Sequence, residues 1–252
     1  MHLRRRPALP RKRIPRHASR LHASQHGLRR MMKSVVFDLD GTLIDSAPDL
    51  HRAANVVLRD EGLPEITFAQ ARSFIGHGAP VLIARVVEAV GLGGDPEAHE
   101  RLLGKFMTEY NHAPQLTVLY PGVMDALAQL ELLGCAMGLC TNKPEAPTHI
   151  ALSHFGLTDY MRSVASGDSL PVRKPDPAPL IEVMQALGAG PGLYVGDSEV
   201  DAETAARAGI PFAIYTEGYR KAALDELPHT YAFDHWDQLP GIVAQHFGGL
   251  EA

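Results

Sequence analysis

Apolar positions recur along this chain with two different periods, and the two are segregated in sequence. Ser34-Val35-Val36-Phe37, preceded by Lys33, is a short β-branched run that stops at Asp38. It predicts a buried strand. Between residues 46 and about 114 the period becomes helical, over 48–59, 68–74, 80–90 and 96–110, with Gly or Pro between the stretches. That predicts an all-helical segment of about 65–70 residues, a small bundle with no strand of its own. From Tyr120 onward the two periods alternate. Pro121-Gly122 opens a helix with Val123, Leu127, Leu130 and Leu133 on one face, closed by Gly134. A strand at 135–140, a helix at 145–154 stopped by Gly156, a weak strand at 162–166 and a helix at 177–187 closed by Gly188 follow. A strand at 193–195, a helix at 199–208 capped by Gly209, a strand at 210–215 and a last one near 230–233 complete the series. Alternation of this kind predicts an α/β fold, a parallel sheet with helices on both faces. In such sheets the ligand site lies beyond the carboxyl ends of the strands. The expected divisions are 1–32 as a leader, 33–45 with 118–248 as the α/β core, and 46–117 as a helical insert.

Composition narrows the class. The chain has 252 residues, 45% hydrophobic and 21% charged, which suits one folded domain or one domain with an insert. No run of about 18 apolar residues occurs, so no membrane span is expected. Residues 1–30 hold nine Arg, one Lys and no acid, a charge of +10, while the remainder holds 14 basic and 29 acidic side chains, a charge of −15. The acidic body argues against a nucleic-acid partner. The Pro-, His- and Arg-rich leader lacks apolar periodicity and is expected to be disordered. It lacks the apolar core of a secretory signal. Of the remaining readings (a transit peptide, a nucleic-acid tail, or a start codon assigned ahead of Met31 and Met32) the last is preferred. Cys135 and Cys140 sit on one predicted strand. Five strand steps separate them by roughly 16 Å, beyond the ~7 Å reach of a disulfide, so both are expected to be free, buried thiols in a reducing, cytoplasmic compartment.

The polar residues fall where the strands end. The first strand runs into Asp38-Leu39-Asp40-Gly41-Thr42, and the second into Thr141-Asn142-Lys143. A loop after the third carries Arg173-Lys174-Pro175-Asp176-Pro177, and the fourth ends in Gly196-Asp197-Ser198, with Asp201 one helical turn on. Each cluster alone reads as a turn or a helix cap. Four in order, each at a strand's carboxyl end, are expected on one rim.

With these four clusters in place, the chain resembles the haloacid dehalogenase superfamily over residues 33–248. The hallmarks are Asp38-Leu39-Asp40-Gly41-Thr42, Thr141-Asn142, Lys174-Pro175 and Gly196-Asp197-Ser198-x-x-Asp201. Within the superfamily it looks most like the phosphoglycolate phosphatases, through residues 40–50, Thr141-Asn142-Lys143-Pro144 and residues 167–177. The resemblance implies a Rossmann-like core with the helical insert as a C1 cap, a mobile lid over the site. It also implies a Mg²⁺-dependent hydrolysis of a small phosphomonoester. Phosphosugar phosphatase, pyrophosphatase and phosphomutase are the alternatives within the superfamily. A haloacid dehalogenase would lack the second aspartate, and a non-enzymatic phosphate-sensing module would have lost a catalytic one.

The implied roles have a common physical reason. A carboxylate approaching a phosphate dianion at ~3.3 Å meets a repulsion on the order of 10 kcal/mol at an effective dielectric of ~20. Cations must offset it. Asp38, Asp40 and Asp197 offer the hard oxygens that Mg²⁺ prefers. In the family pattern the first and last contribute side chains and Asp40 its backbone carbonyl. Asp201 binds the metal, holds a metal-bound water or fixes Lys174. Asp38 is the expected nucleophile and Asp40 the general acid and base. Thr141 and Asn142 are expected to bind phosphate oxygens, assisted by the N-terminus of the following helix. Lys174 supplies a point charge, and Arg173 is read as a solvated surface residue. Gly41 lets the chain turn under the metal site. Lys143 either reaches phosphate or caps solvent. In the insert, Gly76-His77-Gly78 forms a tight loop, with His77 a candidate for substrate contact. Arg72 and Arg85 are read as helix-surface ion pairs. His51, His112 and His149 are scattered, and no zinc site is expected. The expected partner is a small phosphorylated metabolite, and the expected assembly a monomer or small homo-oligomer.

Overall fold

A computed structural model describes residues 33–112, 114–188 and 190–249. The basic leader and its expected disorder lie outside these residues. In chain order the elements are β1 (Ser34–Phe37), β2 (Ile44–Asp45), α1 (Ala47–Asp60), α2 (Phe68–Phe74), α3 (Ala79–Ala89), α4 (Pro96–Tyr110), β3 (Val118–Leu119), α5 (Val123–Leu132) and β4 (Ala136–Cys140). There follow α6 (Glu145–His154), β5 (Met161–Ala165), α7 (Ala178–Ala186), β6 (Gly192–Gly196), α8 (Glu199–Ala208), β7 (Phe212–Tyr215), β8 (Tyr231–Phe233) and α9 (Leu239–Gly248). No helix among the described residues is long and apolar enough to cross a membrane.

Six strands form one sheet in the order β5-β4-β1-β6-β7-β8, with every neighbouring pair parallel. The order explains where a site can form. From the central β1 the chain builds outward through β4 and β5, then returns to add β6, β7 and β8 on the other flank. The connections diverge at the carboxyl ends of β1, β4 and β6, and that divergence leaves a crevice.

Alternation along the strands sets the two faces. Val35 and Phe37, with Met137, Leu139, Leu193 and Val195, pack against Leu127 and Leu130 of α5 and Val243 and Phe247 of α9. Val36, Cys140, Tyr194 and Phe212 point the other way, to Leu180 and Val183 of α7 and Ala202 and Ala205 of α8. Both faces are dry, which is why the strands read as continuous apolar runs.

The four helices α1 to α4 share an apolar cluster of their own, built on Leu50, Val57, Leu82, Ile83, Leu102 and Phe106. Two of them start on side-chain caps. Thr67 and Gln70 close a capping box at α2, and Asp95 accepts from Glu97 and Ala98 N–H at 3.0 Å at α4. The chain leaves and re-enters the sheet domain through β2 and β3, an antiparallel ribbon that the sequence did not suggest. Two residues per strand are too few to show a period. Asp49 fastens the return leg: its Oδ2 accepts the N–H of Gln115 (3.0 Å), Leu116 (3.0 Å) and Thr117 (2.8 Å) and the Thr117 hydroxyl (2.7 Å).

Two further differences from expectation have simple causes. Helix α9 was not anticipated. Its Leu239, Val243 and Phe247 keep helical spacing, but Gly241, Gly248 and Gly249 dilute the signal. Leu133, expected on the buried face of α5, is 42% exposed, whereas Val123, Leu127 and Leu130 are fully buried. It sits at the C-cap, where the chain turns into Gly134 at φ 75°. Leu130→Ala should therefore cost about 2–5 kcal/mol in urea unfolding, and Leu133→Ala less than about 0.5 kcal/mol. Equal losses would contradict this burial pattern.

Candidate active site

Because β4, β1 and β6 are adjacent, the residues that end them meet. Asp38 leaves β1 with its N–H on the Val195 carbonyl at 2.9 Å, and Thr141 leaves β4 with its N–H on Ala165 at 2.9 Å. Lys174 reaches in from the loop after β5 and is 2% exposed. Its Nζ lies 2.9 Å from Asp38 Oδ1, 2.8 Å from Asp201 Oδ1 and 2.9 Å from the Tyr194 hydroxyl. The contact with Asp38 is a charge pair rather than an aligned hydrogen bond, and Asp38 Oδ1 has no aligned donor among the described residues.

Asp201 is placed by local sequence. Ser198 and Asp201 form the capping box of α8, so the carboxylate sits at the positive end of that helix. Its Oδ2 accepts from Ser198 Oγ (2.6 Å), Ser198 N–H (3.1 Å) and Asp197 N–H (3.2 Å), while Oδ1 accepts from Lys174 and, at 2.7 Å, from Tyr194. Asp197 accepts from the Thr42 hydroxyl at 2.8 Å and from the Tyr219 N–H at 2.5 Å. Gly41 has φ 90°, and a Cβ there would lie 2.5 Å from Asp197 Oδ2. Only glycine fits between the turn and that carboxylate.

Carboxylate oxygens of Asp38, Asp197 and Asp201 all lie within 4.8 Å of one another, and the three side chains are buried. Only one ammonium, that of Lys174, touches this trio among the described residues. The imbalance shows in the titration. Burial pushes Asp38 up to about 6 against the pull of Lys174, with Asp201 adding to the rise. Burial and the charges of Asp201 and Asp38 push Asp197 well above the usual carboxylate range. Burial also opposes ionisation of Asp201, but Lys174 and the Ser198 and Tyr194 donors hold it below that range. A divalent cation bound by hard oxygens would remove the excess negative charge, so the residues present fit one. Asp201 accepts five hydrogen bonds, Asp197 one on each oxygen, and Asp38 Oδ1 no aligned one among the described residues, which leaves Asp38 and Asp197 as the side chains best able to hold it.

Asp38, Asp40, Thr141, Asn142 and Lys143 line a narrow cavity of about 30 Å³, with Leu50, Ile75, Leu82 and Tyr110 among its walls on the helical side. Thr141 Oγ1 accepts the Lys143 N–H at 3.2 Å, which leaves its hydroxyl proton to donate. Asn142 departs from the expected phosphate role of its side chain. Its Nδ2 donates to the Gly76 carbonyl (3.0 Å) and the Lys174 carbonyl (2.9 Å), so the amide ties the α2–α3 loop to the lysine loop. Gly78 makes the approach possible: at φ 85°, a Cβ would lie 2.8 Å from the Asn142 carbonyl oxygen. Gly76 and Gly78 line the cavity and His77 does not. The imidazole is half-buried, and burial together with Arg85 and Lys221 holds its pKa below the ordinary value.

Lys143 neither faces solvent nor stands alone. It is 6% exposed, with Nζ 3.0 Å and 3.3 Å from the two oxygens of Asp40. It also contacts the Tyr110 hydroxyl and lies 4.3 Å from the centre of the Tyr110 ring. Burial, with the charges of Asp40 and Asp49, keeps that phenol protonated. Arg173 is exposed, as expected. Arg72 and Arg85 form carbonyl bonds rather than the expected ion pairs, to Gly218 at 2.6 Å and Ser73 at 3.1 Å. None of the scattered histidines joins the acidic trio among the described residues. Cys135 and Cys140 are free and buried, and burial pushes the Cys140 thiol up to about 12.

The family model for haloacid dehalogenase-like hydrolases matches residues 35–215. The chain belongs to the haloacid dehalogenase-like hydrolases. A phosphoglycolate phosphatase of Cereibacter sphaeroides is 50% identical over 213 residues, 84% of this chain and 98% of that protein. A phosphoglycolate phosphatase of Rhodospirillum rubrum is 39% identical over 216 residues, 83% of this chain and 90% of that protein. A crystal structure described as a predicted phosphoglycolate phosphatase from Haemophilus somnus superposes with a TM-score of 0.78 at 31% identity, over 84% of this chain and 97% of that one.

Sequence reasoning missed four residues of this hydrolase site. Tyr194 lies inside a strand and Tyr110 at the end of a helix, where each reads as an ordinary core aromatic. Thr42 reads as part of the turn, and Tyr219 is far from every cluster in sequence. Tyr219 bridges two regions: its hydroxyl accepts the N–H of Ser46 (2.7 Å) and Ala47 (2.9 Å) and donates to Asp45 (2.7 Å), while its own N–H holds Asp197. Tyr194→Phe removes a hydroxyl that serves both Lys174 and Asp201 in a dry site. The hydrolase should lose about 1–3 kcal/mol of stability in urea unfolding. A loss below about 0.5 kcal/mol would mean that the hydroxyl contributes nothing there.

Proposed function

We propose that this hydrolase is a Mg²⁺-dependent phosphatase that converts 2-phosphoglycolate to glycolate and phosphate through an aspartyl-phosphate intermediate. The observation that carries the reading is the buried trio of carboxylates around Lys174, one of which, Asp38, also lines a cavity with Asp40 and Thr141. Two phosphoglycolate phosphatases at 50% and 39% identity along most of their length supply the substrate.

Asp38 attacks phosphorus through the carboxylate oxygen, and the bond from phosphorus to the ester oxygen breaks. Asp40 gives its proton to the departing alkoxide. Water then attacks the acyl phosphate, Asp40 takes its proton, and the P–O bond to Asp38 breaks to release phosphate. Lys174 places its charge beside Asp38, against the repulsion between nucleophile and dianion. Thr141 donates its hydroxyl proton to a non-bridging oxygen, and α6 adds its N-terminal N–H groups. The side chains of Asp38 and Asp197 and the backbone carbonyl of Asp40 would hold Mg²⁺, which would supply further positive charge against the repulsion between nucleophile and phosphate. Asp201 holds Lys174 in place rather than binding the ion. The helical insert, residues 46–117, acts as a cap that closes over the site, and the β2–β3 ribbon is its hinge. The buried free thiols suit a reducing, cytoplasmic setting.

A phosphate-release screen with Mg²⁺ over 2-phosphoglycolate, phosphosugars and pyrophosphate tests the substrate, and preference for any of the others overturns it. Asp38→Asn should lower kcat by about a thousandfold or more. EDTA should abolish turnover and added Mg²⁺ restore it. Retained activity in the variant would exclude the covalent route.

A further inference from the structure

The proposed chemistry uses Asp38, Asp40, Thr141 and Lys174 but leaves a buried cation that lines the cavity, Lys143, unexplained. Lys143 is almost as deeply buried as Lys174, and it sits beside Asp40 rather than beside the nucleophile. We propose that Lys143 and Tyr110 form a leaving-group subsite that binds a carboxylate on the departing alcohol. This inference deepens the 2-phosphoglycolate reading and rests on it for the identity of that alcohol.

Placement comes first. Asp40 is the group that protonates the departing oxygen, so that oxygen lies within hydrogen-bond reach of it. Lys143 Nζ is 3.0 Å from the same carboxylate. In glycolate the carboxylate carbon is two bonds from the departing oxygen, so an anion on this alcohol falls next to the ammonium. Donor capacity comes second. The Lys143 ammonium contacts both oxygens of Asp40 and the Tyr110 hydroxyl, and its positive charge stays at the cavity wall. The Tyr110 oxygen accepts from Lys143, which frees its phenolic proton to donate. An ammonium charge and a free phenolic donor thus border a pocket whose other walls on the helical side include Leu50, Ile75, Ala79 and Leu82. In walls of that kind an anion without partners is strongly disfavoured, and these two groups are what would make one welcome.

The residues also come from different regions. Lys143 follows β4 of the sheet domain, and Tyr110 ends α4 of the helical insert. A carboxylate held by both would bridge insert and core, so recognition of the leaving group and closure of the cap would be one event.

The test uses the full chain with Mg²⁺ and calorimetric titration of glycolate, ethylene glycol and inorganic phosphate. The unsubstituted protein should bind glycolate in preference to ethylene glycol. Lys143→Met should weaken glycolate binding about tenfold or more, and should weaken inorganic phosphate binding far less. Lys143→Arg keeps the charge and should recover much of the loss. In turnover, the ratio of kcat/KM for 2-phosphoglycolate to that for 2-hydroxyethyl phosphate should fall about tenfold in Lys143→Met and about threefold in Tyr110→Phe. An unchanged ratio, absence of glycolate binding, or an equal loss for phosphate would overturn the subsite. Should Lys143→Met fail to fold, by circular dichroism, Tyr110→Phe still decides through the same ratio. The two readings fail separately. If the protein prefers a phosphomonoester without a carboxylate, yet glycolate binding still depends on Lys143, the substrate reading is wrong and the subsite stands. If 2-phosphoglycolate is preferred but both substrates suffer alike, the subsite is wrong and the substrate stands.

Discussion

Three carboxylates packed around one ammonium set the terms for the rest of this structure. Asp38, Asp197 and Asp201 sit within 4.8 Å of one another at the buried ends of β1 and β6, and Lys174 is the sole ammonium in contact with them among the described residues. Burial first, and then the repulsion of like charges this close, raises the pKa of Asp38 and Asp197. Such a cluster persists only if the surrounding fold over-determines it. Here the supports are specific: the capping box that anchors Asp201, the Tyr194 hydroxyl shared by Lys174 and Asp201, and the Thr42 hydroxyl and Tyr219 N–H on Asp197. Local uncompensated charge of this kind is the state of a site built to receive a cation and an anion together.

A second pattern is the way the helical insert is fastened to the sheet domain through the site itself. Asn142, which follows β4, donates to Gly76 in the insert and to the carbonyl of Lys174. Tyr219, which follows β7, packs in the insert's apolar cluster, grips the start of α1 with its hydroxyl and holds Asp197 with its N–H. Lys143 and Tyr110 complete the set. The first two tethers join a residue of the insert or its entry to one that touches the charged cluster, and the third ends on Asp40. Movement of the insert would therefore be felt at the cluster within one or two bonds.

Much of this was legible in the chain. The β-branched run before Asp38, the helical spacing of 48–110 and the alternation after Tyr120 prescribed the layers, because burial on both faces of a parallel sheet demands continuous apolar strands and amphipathic helices between them. The polar clusters at the strand ends were legible for the same reason: they interrupt those runs. Gly196-Asp197-Ser198 read as a turn and a helix cap, which the structure completes as a capping box with Asp201. Gly41 declared a backbone that no side chain could share with its neighbour.

What the chain could not declare were the contacts between residues far apart in sequence. Nothing local distinguishes Tyr194 from a core aromatic or Tyr110 from a helix-end aromatic, since a hydroxyl matters only through what it faces. Asn142 looked like a phosphate donor until its amide was seen occupied by two carbonyls, one 66 residues away and the other 32. The glycines around His77, not the imidazole, proved to border the cavity. Sequence alone determined the layers of the fold, the carboxylate-bearing rim and the charges available to it, because periodicity and residue type are local properties. Tertiary structure decided which donor meets which acceptor, because pairing across the sheet depends on strand order and on the register of loops that carry no period.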